Sequence, residues 1–142
     1  MPRLLPVLAL LFALSVPVAP AFAGELKGHD GWIREAPPVA RVRAGYLVLE
    51  NTGVADLVVT GARSQAFGAI EIHTMVEGEG GAMRMRRLPE LVVPAGGRVE
   101  LRPGGLHLML FRAQQPLAAG DTVTVELDGV DGPLASVVLE QR

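Results

Sequence analysis

The chain has 142 residues, a formal charge of −2, no cysteine, and hydrophobic side chains at 49% of its positions. That length suits one domain with a real core and is too short for two. Basic residues are scattered except for Arg84, Arg86 and Arg87, which excludes a nucleic-acid surface, and the missing thiols exclude a disulfide scaffold and any thiolate metal site.

In chain order, Arg3 precedes an apolar run from Leu4 to Val16 that ends at Pro17 and Ala21-Phe22-Ala23. A charged start, short apolar middle and Ala-x-Ala end are the marks of a secretory signal peptide. Cleavage is expected after Ala23, leaving residues 24–142 as a single domain outside the cytoplasm with a charge of −3, because only Arg3 is lost. An uncleaved anchor competes with this reading, but Pro6, Pro17 and Pro20 oppose a continuous helix. Without cysteine there is no residue for lipid attachment, so the mature protein is expected to be soluble.

Gly24 to Arg43 is polar and broken by Pro37-Pro38, with a short edge strand expected at Gly31-Trp32-Ile33-Arg34. Strands are then expected at Ala44–Glu50, Leu57–Ala62 and Ala69–Met75, the last followed by a glycine-rich turn, Glu77-Gly78-Glu79-Gly80-Gly81. Further short runs at Leu91–Val93, Val99–Leu101, Leu106–Phe111, Thr122–Leu127 and Leu134–Glu140 alternate with proline and glycine turns. About eight short strands, with no apolar repeat of helical period beyond the leader, predict an all-β antiparallel sandwich or barrel.

Chemistry concentrates between His73 and Met109. Two of the three histidines and four of the five methionines lie there, as His73-Thr74-Met75, Met83-Arg84-Met85 and His107-Leu108-Met109. In a strand, residues i and i+2 share a face, so each His-x-Met pair presents an imidazole beside a thioether. Taken singly, a strand methionine is more often core filler and a histidine more often a hydrogen-bonded surface or core residue. Two same-face pairs with further methionine between them point to a metal. Neutral thioether is a poor ligand for calcium, magnesium or zinc, whereas thioether with imidazole suits Cu(I), and imidazole also tolerates Cu(II). A blue-copper electron-transfer site requires a cysteine thiolate, which is lacking.

The spacing, with nine residues between Met75 and Met85 and twenty-one between Met85 and His107, resembles the His-Met-His-x-Met signature of periplasmic PCuAC-type copper chaperones. The resemblance extends over Asp30-Gly31-Trp32-Ile33-Arg34, Gly45 to Asn51, Glu71-Ile72-His73, Met83 to Arg86, Pro94 to Gly97 and Pro103 to Leu110. It implies a cupredoxin-like β-sandwich or barrel that holds Cu(I) through His73, Met85, His107 and Met109 without catalytic turnover. It also implies delivery to copper centres such as that of cytochrome c oxidase, with the oxidase copper subunit or a Sco-type protein as partner, and a monomer near the membrane. Thr74 stands where some members have methionine, Met75 and Met83 are competing thioethers, and the His- and Met-rich tail of many members is missing before Arg142. His29 is the one further candidate ligand. The alternatives are a secreted β-sandwich interaction module whose methionines form a recognition surface, and an enzyme, for which no nucleophile motif or His-rich hydrolytic site is found.

Overall fold

Alternating apolar residues build a continuous inner wall. Ile70 and Ile72, Leu108 and Leu110, Val123, Val125 and Leu127, and Val137 and Leu139 are all buried at every second position of their strands. The computed structural model describes residues 25–142; the segment read as a signal peptide, residues 1–23, lies outside them.

Eleven strands occur in the described chain: β1 Leu26–Ile33, β2 Val42–Asn51, β3 Leu57–Val59, β4 Gly61–Arg63, β5 Phe67–Glu77, β6 Met83–Arg87, β7 Leu91–Val93, β8 Arg98–Leu101, β9 His107–Ala113, β10 Thr122–Gly129 and β11 Gly132–Gln141. Seven of them form a ring in the order β1-β11-β10-β4-β5-β9-β2, closed because β2 also pairs with β1. The fold is therefore an all-β barrel. β8 extends the sheet beside β2, β6 pairs with the outer half of β5, and β3 and β7 make a separate two-stranded sheet. All pairings are antiparallel except that of β1 with β11.

Three local expectations change. Residues 31–34 do not form an edge strand: β1 starts at Leu26, has neighbours on both sides, and is broken by a bulge between His29 and Trp32 where Asp30 adopts φ 54°. That bulge hides the period-two signal from a reading of the sequence. The run Leu57–Ala62 is divided at Thr60, so that β3 pairs with β7 whereas β4 pairs with β10 and β5. Met83–Arg87, which lacks β-branched residues, is a strand because β5 supplies its hydrogen-bonding partner.

Gly31 sits in the bulge where β1 meets β11. A Cβ there would lie 2.5 Å from the Val138 carbonyl oxygen, a backbone atom held in β11. Gly31→Ala is therefore expected to cost about 1–3 kcal/mol through forced backbone shifts, seen as a lower urea midpoint with unchanged slope.

Two buried polar residues fasten loops to this wall. The guanidinium of Arg43, 3% exposed, donates to Gln141 Oε1 at 3.0 Å and to the carbonyls of Pro37, Pro38 and Leu117 at 2.9, 3.1 and 3.3 Å. Burial lowers its pKa from the usual arginine value. Asn51 donates from Nδ2 to Ala55 and Val93 carbonyls and accepts from the Gly53 amide at Oδ1, tying the end of β2 to β7 and to the loop that leads into β3.

Candidate metal centre

Residues directly opposed in antiparallel strands share a face, so strand register decides which donors meet. On β5 and β9, His73 lies opposite His107 and Glu71 opposite Met109; on β5 and β6, Met75 lies opposite Met85 and His73 opposite Arg87. The inward residues of these strands, Ile72 and Leu108, belong to the core. All the donors therefore stand on the outer face. The expectation that His73 and His107 gather at one place agrees with this register, and their ring centroids are 5.8 Å apart.

Each imidazole has one nitrogen committed. His107 Nδ1 is 2.9 Å from the Gly105 carbonyl, which can only accept, so Nδ1 carries the hydrogen. In the neutral ring Nε2 then holds a lone pair, and it lies 3.3 Å from Met85 Sδ. Two soft or borderline donors converge with no proton required between them. His73 has the opposite arrangement: Nε2 donates to Glu71 Oε2 at 2.8 Å, leaving Nδ1 buried and without a partner. A ring nitrogen with a free lone pair inside protein is costly unless something binds it.

Glu71 fixes that orientation. Its carboxyl is held below the usual carboxylate range, first by the hydrogen bond from His73 and then, against partial desolvation, by Arg87, whose Nε is 3.9 Å away. The geometry makes Glu71 a partner of the histidine and not merely a solvated charge. A carboxylate that selects the tautomer of a metal-binding histidine typically changes affinity by about 10–100-fold. Glu71→Ala is accordingly expected to weaken Cu(I) binding roughly tenfold while leaving the melting temperature of the metal-free protein within a few degrees, as read by chelator competition and circular dichroism.

The four residues taken from the family signature are thus placed on adjacent strands. His73, His107 and Met85 come together directly, and Met109 stands beside His107 on the same face, two residues along β9 and opposite Glu71. Met75 and Met83 lie further out on the β5–β6 hairpin. His29 is not brought into the group: it sits on β1, with Nδ1 3.0 Å from Asp30 Oδ2 and Nε2 3.6 Å from Glu50 Oε2. The Gly105 carbonyl, an orienting acceptor, left no sequence signal beyond the turn that precedes β9. Among the described residues no group of three or more His, Cys, Asp or Glu side chains could hold a metal ion, so the thioethers are needed to complete a donor set. Of the set, Met85 is exposed, His73 and Met109 are partly buried and His107 is buried. A depression of about 570 Å³ lined by Arg63, Gln65, Thr122 and Glu126 contains none of these donors.

Comparison with known proteins agrees with this architecture. Residues 26–138 match the family described as "Putative lipoprotein LpqE-like". The "Putative lipoprotein Lxx21020" of Leifsonia xyli subsp. xyli is 31% identical over 108 residues, covering 76% of this chain; the chain spans 64% of that relative's length. The copper-bound PCuAC domain from PmoF2 superposes with a TM-score of 0.68 at 18% identity, over 84% of this chain and 93% of that one. The Cu(I) form of DR1885 from Deinococcus radiodurans, a solution structure, superposes with a TM-score of 0.60 at 28% identity, over 79% of this chain and 74% of that one.

Proposed function

The chain belongs to the LpqE-like family, and from that premise we propose that it is an extracytoplasmic copper carrier, a metallochaperone without catalytic turnover. Its cargo is Cu(I), held by imidazole nitrogen of His73 and His107 and thioether sulfur of Met85 and Met109. The observation that carries the reading is the 3.3 Å approach of His107 Nε2 to Met85 Sδ while Nδ1 is committed to the Gly105 carbonyl. Imidazole and thioether together favour the softer Cu(I) over zinc or calcium. That copper-bound and Cu(I)-bound structures share the fold supports the choice of metal.

Exchange follows from placement. Met85 is 57% exposed and lies on β6, a strand with β5 as its one neighbour, so a competing ligand can reach the ion from the water side. Thioethers stay neutral and form no disulfides, which suits delivery in an oxidising compartment. Residues 1–23 would direct the protein to the periplasm, and the relatives' lipoprotein names agree with export. No cysteine occurs in these 142 residues, so they offer no thiol for lipid attachment. The receiver we propose, on the resemblance of the sequence to PCuAC-type chaperones, is a copper centre such as that of cytochrome c oxidase, alongside a Sco-type protein.

Titration of reduced Cu(I) into the protein against a chromophoric chelator tests the proposal. One tightly bound equivalent and a raised melting temperature are expected, because a ligand that binds the folded state stabilises it. No competition with the chelator and an unmoved melting temperature would instead favour the interaction-module reading.

A further inference from the structure

Two methionines, Met75 and Met83, remain outside the proposed four-residue centre, and packing does not account for Met83. Met83 is 56% exposed and Met85 57%, although burial is the usual reason for methionine in a strand. Register puts them on one face with Met75: Met75 is opposite Met85, and Met83 precedes Met85 by two positions, opposite Glu77. Opposed side chains start about 4.5–5.5 Å apart at Cβ and diagonal ones within about 7–8 Å, within reach of flexible thioethers. The hairpin is held closed beyond them by Gly78 N–H donating to the Ala82 carbonyl at 2.7 Å, with Gly80 and Gly81 both at positive φ in the turn. Three thioethers therefore lie together at the end of the β5–β6 hairpin, and Met85 belongs to both groups.

We infer that Met75, Met83 and the shared Met85 form a second, weaker, all-thioether Cu(I) site at the hairpin, through which the ion passes between solvent and the four-residue centre. This rests on the copper-carrier reading given above. Neutral sulfur donors select Cu(I) or its analogue Ag(I), and the absence of imidazole makes the site the weaker of the two. Its occupant arrives and leaves without any change of oxidation state.

The test uses the whole mature protein carrying methyl-labelled methionine, titrated with Ag(I) as a redox-inert probe and followed by NMR. The expected result is that the first equivalent moves the methyl signals of Met85 and Met109 and the second moves those of Met75 and Met83. In a Met75→Leu, Met83→Leu protein the second equivalent should vanish and the first keep its affinity within twofold. Release of Cu(I) to a chelator should slow at least fivefold. Met75 and Met83 signals that stay still through two equivalents, or that move with the first, overturn this inference alone, as does an unchanged release rate in the double variant. A first equivalent that leaves Met85 and Met109 unmoved overturns the four-residue centre and this site with it.

Discussion

A His73→Ala, His107→Ala protein is expected to lose Cu(I) affinity by roughly three orders of magnitude or more, which corresponds to about 4 kcal/mol. The two substitutions remove both ring nitrogens that hold free lone pairs, Nδ1 of His73 and Nε2 of His107, and leave only thioethers. Two neutral sulfurs on separate strands cannot replace a mixed nitrogen and sulfur set. The scaffold should survive, because both rings lie on the side of the sheet away from the core that Ile72 and Leu108, their neighbours in sequence, pack into, although His107 is itself only 6% exposed. Chelator competition measures the loss, and a metal-free melting temperature close to that of the parent separates it from unfolding. An affinity within tenfold of the parent's would rule out these histidines as principal ligands. Metal and protons compete for the same nitrogens, so in the parent protein affinity should fall on acidification.

Leu110→Ala is expected to produce the largest loss of stability, about 2–5 kcal/mol. Leu110 is 0% exposed, and β9 runs between β5 and β2 with Leu110 opposite Ile70 on one side and Arg43 on the other. Removing three carbons there opens a void that a closed barrel cannot collapse around without moving its strands. For a domain of this size the melting temperature should fall by roughly 10–20 °C. Saturating Cu(I) should recover part of that fall, because two of the donors, His107 and Met109, sit on the same strand and binding draws the population toward the folded state. Thermal melts with and without Cu(I) give both quantities.

Much of the arrangement was readable from residues alone, for local reasons. Ile70-Glu71-Ile72-His73 and His107-Leu108-Met109-Leu110 alternate at strict period two, so the inner and outer faces of β5 and β9 follow from the sequence. The meeting of His73 with His107 does not. It depends on β9 pairing with β5 across intervening strands in a register that no local pattern encodes. β6 escaped notice because Met83-Arg84-Met85-Arg86-Arg87 carries no β-branched residue, yet its alternation of methionine with arginine is itself of period two. Arg43 closed a polar segment and Asn51 followed the expected strand Ala44–Glu50, and nothing local marked either as a buried anchor, since the carbonyls that satisfy them lie elsewhere, at Pro37, Leu117 and Val93. His29 resembled a spare ligand, but its two ring nitrogens face Asp30 and Glu50.

The pairing of β1 with β11 joins the first and last of the described strands, with Trp32 beside Glu140 and Ile33 beside Gln141. Such a seam is zipped only after everything between has been laid down, and contacts this remote in sequence make folding slow. The β5–β9 pairing that carries both imidazoles is separated from that seam by other strands in either direction around the ring. Transient opening of the β1–β11 seam can therefore proceed while His73 and His107 keep their spacing.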